Sequence, residues 1–354
     1  MKTNLILIFL LILSAKIFSQ QNYFYKGYDY GSQAMFNPVS VIFNGGFDML
    51  QVGNRRDLSK LPFAKGIGNV WSNISNPFSV INKYGWWNFL SEQVLPLSLN
   101  KENAQFLPNY TLHLFGGGML YAATKEWYEA HNYPYAGWLS GITMMSFHLI
   151  NETVENENYT GPDVDPIADI YIFDLGGILL FSFDNVKKFF SEELNLSDWS
   201  PQPSFSLRNG ELHNVGQSFS VKWKLPFAEQ WSMFYYFGTH AVFGLSYKYE
   251  NGYALSAGIG AATSGIINLD SNINKKTIGM VGSFGVFLDK NNSLLASFSY
   301  ARRTDYICNL NIYPGLLKIG DFSPGIWLAY NDYDNIIAGI SAAWFPLGFG
   351  YSVK

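Results

Sequence analysis

Hydrophobic and polar residues alternate through the C-terminal part of the chain, residues 203–354, and turn residues separate the alternating stretches. Residues 218–225 are the clearest example, since serine and lysine there alternate with phenylalanine, valine, tryptophan and leucine. Successive side chains of a strand point to opposite faces, so this period of two predicts strands with one apolar and one polar face. Asn251 and Gly252 form a dipeptide preferred in tight turns, which predicts an antiparallel hairpin.

These strands predict an antiparallel transmembrane β-barrel, which with the helices described below makes the chain an α+β membrane protein. Strands of about nine to eleven residues match a tilted crossing of the bilayer, and we expect about eight to twelve of them. The predicted strands are residues 205–208, 217–225, 232–238, 241–249, 253–262, 277–288, 293–301, 306–313, 324–331, 336–345 and 347–354. A soluble periplasmic β-sandwich is the alternative, but its outer face would carry more charge than these strands do.

Small residues dominate the polar face of the predicted strands. They include Gly258, Gly260, Ser283, Gly285, Ser297 and Ser299. A wide ion-conducting pore has a polar, water-filled lumen that charged side chains would normally line. The small residues therefore predict a narrow barrel, or one whose lumen contains helices.

The N-terminus has the pattern of a secretory signal peptide. Lys2 supplies a positive charge, residues 5–13 form a short apolar run, and small residues precede a predicted cleavage site after residue 19 or 20. An uncleaved anchor helix is the alternative, but the run is shorter than the roughly 20 residues that span a bilayer. Cys308 is the only cysteine, so no lipid-modified cysteine follows the cut and no intramolecular disulfide forms. Export and one-sided apolar strands together predict the outer membrane of a Gram-negative cell.

Composition agrees with this location. Charged residues make up 14% of the chain and aromatic residues 18%, whereas soluble domains average about 25% charged residues. The formal net charge is −4 and the chain has no long basic run. Because binding of nucleic-acid phosphates requires clustered cations, nucleic acid is excluded as a partner. The expected partners are outer-membrane lipid and an envelope protein.

Two helical regions are predicted between the signal peptide and the strands. Residues 21–108 are irregular, but apolar residues recur at helical spacing within residues 70–95, with interruptions at Pro77 and Gly85. This spacing predicts short amphipathic helices at the membrane surface or across the barrel mouth, with ordinary core packing as the alternative. Residues 109–192 are unusually apolar and predict a bundle of two or three helices that plugs or caps the barrel.

Polar residues inside the apolar bundle form the candidate site. They are His113, His148, Glu152, Asp165 and Asp169, with Glu126 on the same helix as the first histidine. Members four residues apart share a helix face, and antiparallel packing would bring the set together. Such a set could bind a divalent cation or act as a general acid–base pair. Structural roles are the alternative, since Asp165 before Pro166 also suits a helix N-cap.

Several residues of the helical region match a known pattern. They are His113, Tyr121, Ser146, Glu152, an acidic residue at Glu155 or Glu157, the segment 163–169 and the pair Gly176-Gly177. In these residues the chain resembles an uncharacterised family of exported Gram-negative proteins that join an apolar helical bundle to a C-terminal outer-membrane barrel. The resemblance implies architecture and location, and it implies no activity.

We therefore expect a non-enzymatic outer-membrane barrel with a helical plug, acting in solute passage or envelope assembly. The alternative is an integral outer-membrane enzyme, a hydrolase or transferase that acts on lipid or surface glycan through the candidate His, Glu and Asp residues. A purely structural or surface-interaction protein is the third class.

Overall fold

The computed structural model describes residues 21–53, 55–96, 107–270, 275–302, 306–331 and 335–353. Helices occupy the N-terminal part of these residues, and one large sheet occupies the C-terminal part. The predicted α+β class is therefore confirmed. The predicted signal peptide, residues 1–20, lies outside the described residues.

The helical part begins with three short helices, α1 Gly31–Met35, α2 Pro38–Gly46 and α3 Met49–Gly53, and a 3-10 turn at Leu58–Lys60. Next come α4 Phe63–Ser75, α5 Pro77–Tyr84 and α6 Trp86–Asn88, which continues in the wider π-helical turns Phe89–Val94. Helix α7 joins π-helical Leu107–Gly117 to α-helical Gly118–Ala130, and α8 is Ala136–Asn156. Helix α9 consists of Asp165–Ala168, π-helical Asp169–Asp174 and Leu175–Leu180, and α10 joins Asp184–Lys188 to π-helical Phe189–Glu193.

Local sequence explains where several helices begin and end. Asn37 caps α2, because its side-chain oxygen accepts a hydrogen bond of 2.9 Å from the backbone N–H of Ser40. Pro38 follows in the first turn, where its missing N–H costs nothing. Pro77 begins α5, and Gly85 at a φ of 97° ends it. Both predicted interruptions in this region are confirmed.

The sheet has 13 strands among the described residues. They are β1 Ser197–Asp198, β2 Ser204–Ser206, β3 Glu211–His213, β4 Ser218–Leu225, β5 Ala228–Gly238, β6 His240–Lys248, β7 Tyr253–Asp270, β8 Lys275–Lys290, β9 Ser293–Ala301, β10 Cys308–Ile312, β11 Pro324–Tyr330, β12 Ile336–Ala342 and β13 Gly348–Val353. Every predicted strand overlaps an observed one. The expected number of eight to twelve strands is too low, because the short β1 and β3 also join the sheet.

The strand order is β1-β4-β5-β6-β7-β8-β9-β10-β11-β12-β13-β2-β3. Neighbouring strands pair antiparallel except for β13 and β2, which pair parallel. One edge strand is β1 and the other is β3, so both edges come from the same short part of the chain, residues 197–213. Strand pairing does not close the described part of the sheet into a barrel.

One face of the sheet is largely buried, and we call it the inward face. The register places the predicted small residues there, with Gly258 opposite Gly244 and Gly285. Large side chains share this face, since Phe234 and Phe287 pack around Trp199, which precedes β2. Trp199, from the chain between β1 and β4, and Met35 of α1 both pack against these inward strand residues. The predicted filling of the lumen by helices stays a prediction.

The long helices α7 and α8 and the end of α9 pack against the opposite, outward face of the sheet. Phe219 of β4 and Phe237 of β5 lie in one buried cluster with Met119, Phe147 and Phe181 of the bundle. These strand residues alternate with inward ones and lie at the end of the sheet where β4 begins and β13 ends. The bundle therefore flanks the outward face at this end of the sheet, and its predicted role as a plug or cap stays a prediction.

No single helix in the described ranges is long and apolar enough to cross a membrane, and Asp165–Leu180 with Asp184–Glu193 meet that criterion only as a pair bent by 85°.

Candidate functional site

Five ionisable side chains from three helices converge inside the bundle. His113 comes from the π-helical part of α7, His148 and Glu152 come from α8, and Asp169 and Asp174 come from α9. Four of the five are predicted candidates. Sequence reasoning did not select Asp174, although a charged residue in an otherwise apolar helix is a signal of function.

The π-helical turns of α9 explain why Asp174 belongs to the site. Residues five apart on an α-helix point in directions roughly 140° apart, so Asp169 and Asp174 would face different neighbours. The observed turns from Asp169 to Asp174 are wider, and such turns occur often at functional sites. Both aspartates consequently reach the imidazole of His113, one on each ring nitrogen.

The first group of ligand-type atoms surrounds Asp174. His113 Nδ1 lies 3.1 Å from Asp174 Oδ1, and His148 Nε2 lies 3.0 Å from the same oxygen. The two imidazole rings are 5.0 Å apart between centroids. His148 Nε2 does not approach the carboxylate in hydrogen-bonding geometry, and neither it nor Asp174 Oδ2 has a hydrogen-bond partner among the described residues.

The second group lies on the other side of the same imidazole. His113 Nε2 is 3.5 Å from Asp169 Oδ2, and Glu152 completes a set whose ligand atoms all lie within 4.8 Å of one another. Asp169 and Glu152 share a side-chain hydrogen bond. Because both groups use His113, a single ion can take only one of its ring nitrogens at a time.

Burial sets the proton affinities around Asp174. Loss of water raises the pKa of Asp174 to about 6, and its hydrogen bond to His113 limits the rise. Burial alone would lower the pKa of His113, but the hydrogen bond and the charge of Asp174 outweigh it and raise that pKa to about 9. At neutral pH these two residues form a buried ion pair.

Burial shifts the pKa values of the remaining members toward their neutral forms. Burial, followed by the nearby charge of His113, keeps the pKa of His148 well below its ordinary value. Burial and then the neighbouring carboxylates raise the pKa of Glu152 and of Asp169 well above their ordinary values. Burial therefore favours a neutral imidazole at His148 and protonated carboxyl groups at Glu152 and Asp169.

This arrangement is chemically suited to a divalent cation. Ligand atoms about 2.1 Å from a tetrahedral zinc ion are roughly 3.4 Å apart, and the N···O separations here are 3.0 to 3.5 Å. Mixed imidazole and carboxylate ligands suit Zn²⁺, Mn²⁺ and Fe²⁺. A bound cation would also supply the missing partner of His148 Nε2 and Asp174 Oδ2.

Asp165 lies near the site without joining either group of ligand atoms. Its charge acts on His113, Glu152 and Asp169. The predicted N-cap role of Asp165 is wrong, because it is the first residue of α9 and its own backbone N–H donates to Asp163 Oδ1 at 3.1 Å. The carboxylate of Asp163 thus accepts a backbone hydrogen bond just before the helix begins.

Glu126 takes no part in the site. Its carboxylate accepts hydrogen bonds of 2.8 to 2.9 Å from the backbone N–H groups of Tyr23, Phe24 and Tyr25. This carboxylate ties the start of the described chain to α7. Its role is structural, and the expectation that it could join the site is wrong.

Comparison of the chain with profiles of protein families, with curated proteins and with solved structures finds no significant match.

Proposed function

We propose that this chain is an integral outer-membrane protein, exported by a cleaved signal peptide, whose sheet contacts lipid and whose helical bundle binds a divalent cation. The membrane part of the proposal rests on the outward face of the sheet. The metal part rests on the convergence of His113, His148, Glu152, Asp169 and Asp174 with unpartnered buried atoms among them.

The outward face is apolar and exposed over strand after strand. Its exposed large side chains are Trp223, Trp231, Met233, Phe243, Leu245, Leu255, Ile259, Met280, Phe284, Val286, Tyr300, Leu328, Tyr330, Ile336, Ile340, Phe349 and Tyr351. A soluble monomer rarely exposes a contiguous apolar patch of this kind. Lipid is the solvent that such a face requires.

Aromatic residues gather at both ends of this outward face. Trp231 and Tyr247 pair at one end, with ring centroids 5.0 Å apart. Tyr300 and Tyr330 flank Cys308 in the register at the other end. Aromatic girdles at the two interfaces, with an apolar band between them, are typical of outer-membrane strands.

Helices α4 to α6 add a further apolar surface suited to the membrane interface. Its exposed side chains are Trp71, Phe78, Trp86 and Trp87.

A charge placed in the apolar band tests the membrane proposal. Phe243 lies near the middle of β6 and is 59% exposed, whereas Phe227 lies in the turn after β4 and is 85% exposed. We expect F243K to make the free energy of folding into phosphatidylcholine vesicles less favourable by about 2 to 4 kcal/mol. F227K should fold like the parent. The folded fraction is measured from the mobility of unheated samples in denaturing gels. Equal folding of the two variants would contradict a lipid-facing sheet.

Metal titration tests the cation site. The mature protein in detergent, stripped with chelator, is titrated with Zn²⁺ and with Mn²⁺ in a calorimeter. We expect one ion per chain and proton release, because the raised pKa values of Glu152, Asp169 and His113 favour their protonated forms and a bound cation displaces protons from its ligands. D174N should weaken binding at least tenfold, whereas D184N, the same change at an exposed position, should not. Equal affinity in both variants, or no stoichiometric binding, rules the site out.

An outer-membrane hydrolase or transferase acting on lipid or surface glycan is the second candidate. The observation that favours it is the opposite direction of the pKa shifts, which gives a neutral base at His148 beside carboxyl groups that keep a proton. A cation would lower the pKa of a bound water. Cells expressing E152Q in place of the parent should then show an altered lipid or glycan profile by mass spectrometry, with D184N cells unchanged.

Solute passage finds less support in the described residues. The inward face is occupied by fully buried side chains such as Trp199, Trp327 and Phe287. Single-channel conductance in planar bilayers checks this directly, and we expect none for the parent protein.

A further inference from the structure

A polar cavity of about 910 Å³ lies at the end of the sheet where β13 ends, and it is separate from the cation site. Its walls come from the chain after α3, the end of α8, the turn between β2 and β3, and the last residues of β13. The cavity uses none of the five ligand-type residues of the bundle, so an inference about it stands apart from the proposed function.

The cavity is lined by four arginine and lysine side chains and by three carboxylates, one of which, Glu211, lies 3.2 Å from His213. Arg55 pairs with Glu157 at 2.8 Å, and Lys60 pairs with Asp57 at 3.0 Å. Two further arginines, Arg56 and Arg208, also line the cavity. Neither forms an ion pair with a carboxylate in the described part of the chain. Arg208 instead donates to the hydroxyl of Tyr351 at 2.9 Å.

Arg56 is held rigidly and is only 8% exposed. Its carbonyl accepts a hydrogen bond of 2.9 Å from the backbone N–H of Leu212. Its guanidinium carbon lies 4.6 Å from the ring centroid of Tyr306. A stacked, backbone-anchored guanidinium loses little further freedom when it binds a ligand.

The donors of the two neighbouring arginines are incompletely used. Nε and Nη2 of Arg56, and the same two atoms of Arg55, are buried without a hydrogen-bond partner among the residues that the structure describes. Leaving a buried donor unpaired is energetically costly, and more so when the group is charged. The Nε and Nη2 atoms form one edge of each guanidinium, which is the edge that binds an oxyanion through two parallel hydrogen bonds.

We propose that this cavity binds the phosphate group of a ligand through Arg55 and Arg56, with Arg208 at the exposed rim. Phosphate suits two arginine forks better than a carboxylate does, because it offers three or more oxygens and a charge of up to −2. The volume of the cavity exceeds that of one phosphate and leaves space for the group that carries it. A lipid headgroup and a soluble phosphorylated compound share this chemistry.

Titration with inorganic phosphate tests the proposal. The full mature protein in dodecyl maltoside, which carries no phosphate, is titrated with sodium phosphate at constant ionic strength maintained with chloride. We expect saturable binding that R56Q weakens 10- to 100-fold, since a hydrogen bond to a charged group contributes about 1.5 to 3 kcal/mol. K188Q, which removes an exposed cation outside the cavity, should bind like the parent.

R208Q keeps the test decisive if R56Q does not fold, because Arg208 is exposed at the rim. We expect it to weaken phosphate binding several-fold. Unchanged phosphate affinity in R208Q and in any folded R56Q would show an adventitious ion only and would overturn the proposal.

A second arm identifies the source of the phosphate. Protein extracted from native membranes is analysed for retained phospholipid by native mass spectrometry. Phospholipid retained by the parent and by K188Q but lost from R56Q or R208Q indicates a lipid headgroup. Phosphate binding without retained phospholipid indicates a soluble ligand. Absence of both overturns the proposal.

Discussion

Two fully buried acids of the bundle, Glu126 and Asp174, differ in whether both oxygens of the carboxylate have hydrogen-bond partners. Glu126 accepts three backbone N–H groups, which is the arrangement expected of a structural carboxylate. Asp174 shares one oxygen with His113 and His148 and leaves the other without a partner in the described residues. Burial alone therefore does not identify a ligand. The unused oxygen of Asp174 is the observation that supports its proposed role as a ligand.

E126A should be strongly destabilising. The change leaves the N–H groups of Tyr23, Phe24 and Tyr25 without their acceptor, so we expect a loss of about 3 kcal/mol or more in the free energy of unfolding. E126Q keeps one acceptor oxygen, so its loss in the free energy of unfolding should be smaller than that of E126A and larger than zero. E129A removes an acid of the same helix that pairs with Lys125 near the surface and should cost less than about 1 kcal/mol. Urea unfolding in detergent measures all three, and equal losses for E126A and E129A would be inconsistent with the tether.

Asp48 should make stability fall as the pH rises. Burial, followed by the charge of Glu155, raises the pKa of Asp48 to about 7, above its ordinary 3.8. Between these values the folded protein keeps a proton that the unfolded chain loses, so stability decreases from about pH 4 to pH 7 and is level above that. The difference amounts to roughly 4 kcal/mol as an order of magnitude.

D48N removes this pH dependence while its side-chain oxygen can still accept the hydrogen bond from Asn151. We expect the variant to exceed the parent in stability at pH 8 and to match it at pH 4. D184N, the same substitution at the exposed Asp184, is the control. A D48N variant that differs from the parent equally at both pH values would refute the assignment.

At the scale of the element, close packing of helices α7 and α9 positions the site. A methyl group on Gly177 would lie 2.7 Å from the carbonyl oxygen of Leu114, the residue next to His113. A methyl group on Gly118 would similarly lie 2.8 Å from the carbonyl oxygen of Gly177. The glycines of α7 do allow another backbone to approach closely. Helix α9, with Asp169 and Asp174, can therefore reach His113.

G177A should force α7 and α9 apart. We expect a loss of about 1 to 3 kcal/mol in the free energy of unfolding, as for other overpacked contacts, together with weaker Zn²⁺ binding. G68A is the matched control, because Gly68 lies inside α4 with no atom within 4 Å of the added methyl group, and there alanine should stabilise the helix by up to about 1 kcal/mol. Identical effects of the two changes would show that the close approach is unimportant.

At the scale of the whole molecule, the chain between β1 and β4 holds the sheet together. Gln202 donates to the carbonyl oxygen of Ile312 at 3.0 Å and accepts from the hydroxyl of Ser341. Its own carbonyl accepts from Asn214 at 3.0 Å. One fully buried residue thus links β10, β12 and the chain after β3.

The sheet should therefore be less stable to unfolding in the Q202A variant. The substitution leaves two buried groups, the carbonyl of Ile312 and the hydroxyl of Ser341, without this partner, so we expect a loss of about 2 to 4 kcal/mol. The control Q230A removes an exposed glutamine that bonds only Tyr247 among the described residues and should change stability by less than about 1 kcal/mol. The stability of each variant is measured as the temperature at which the band of folded protein disappears from gels. A Q202A variant as stable as Q230A would contradict this role.

Most element positions could be predicted from the sequence. The strand alternation, the breaks at Pro77 and Gly85 and the three long helices depend on local periodicity and on residues that begin or end helices. Four of the five site residues were also predictable, because His148 and Glu152 share an α-helical face and charge is conspicuous in an apolar helix. Export, the outer membrane and the family resemblance stay predictions.

The sequence by itself determined the long helices, eleven of the strands and which face of each of these strands is apolar, because these properties repeat within a few residues of the chain. It did not predict α1 to α3, in the segment expected to be irregular, or the short β1 and β3. Only the tertiary structure decided that the helices flank the outward face, that β1 and β3 border the sheet, and that Asp174 joins the site. These features depend on contacts between residues far apart in sequence. Asp174 additionally depends on π-helical turns, whose five-residue repeat a search for α-helical spacing does not detect.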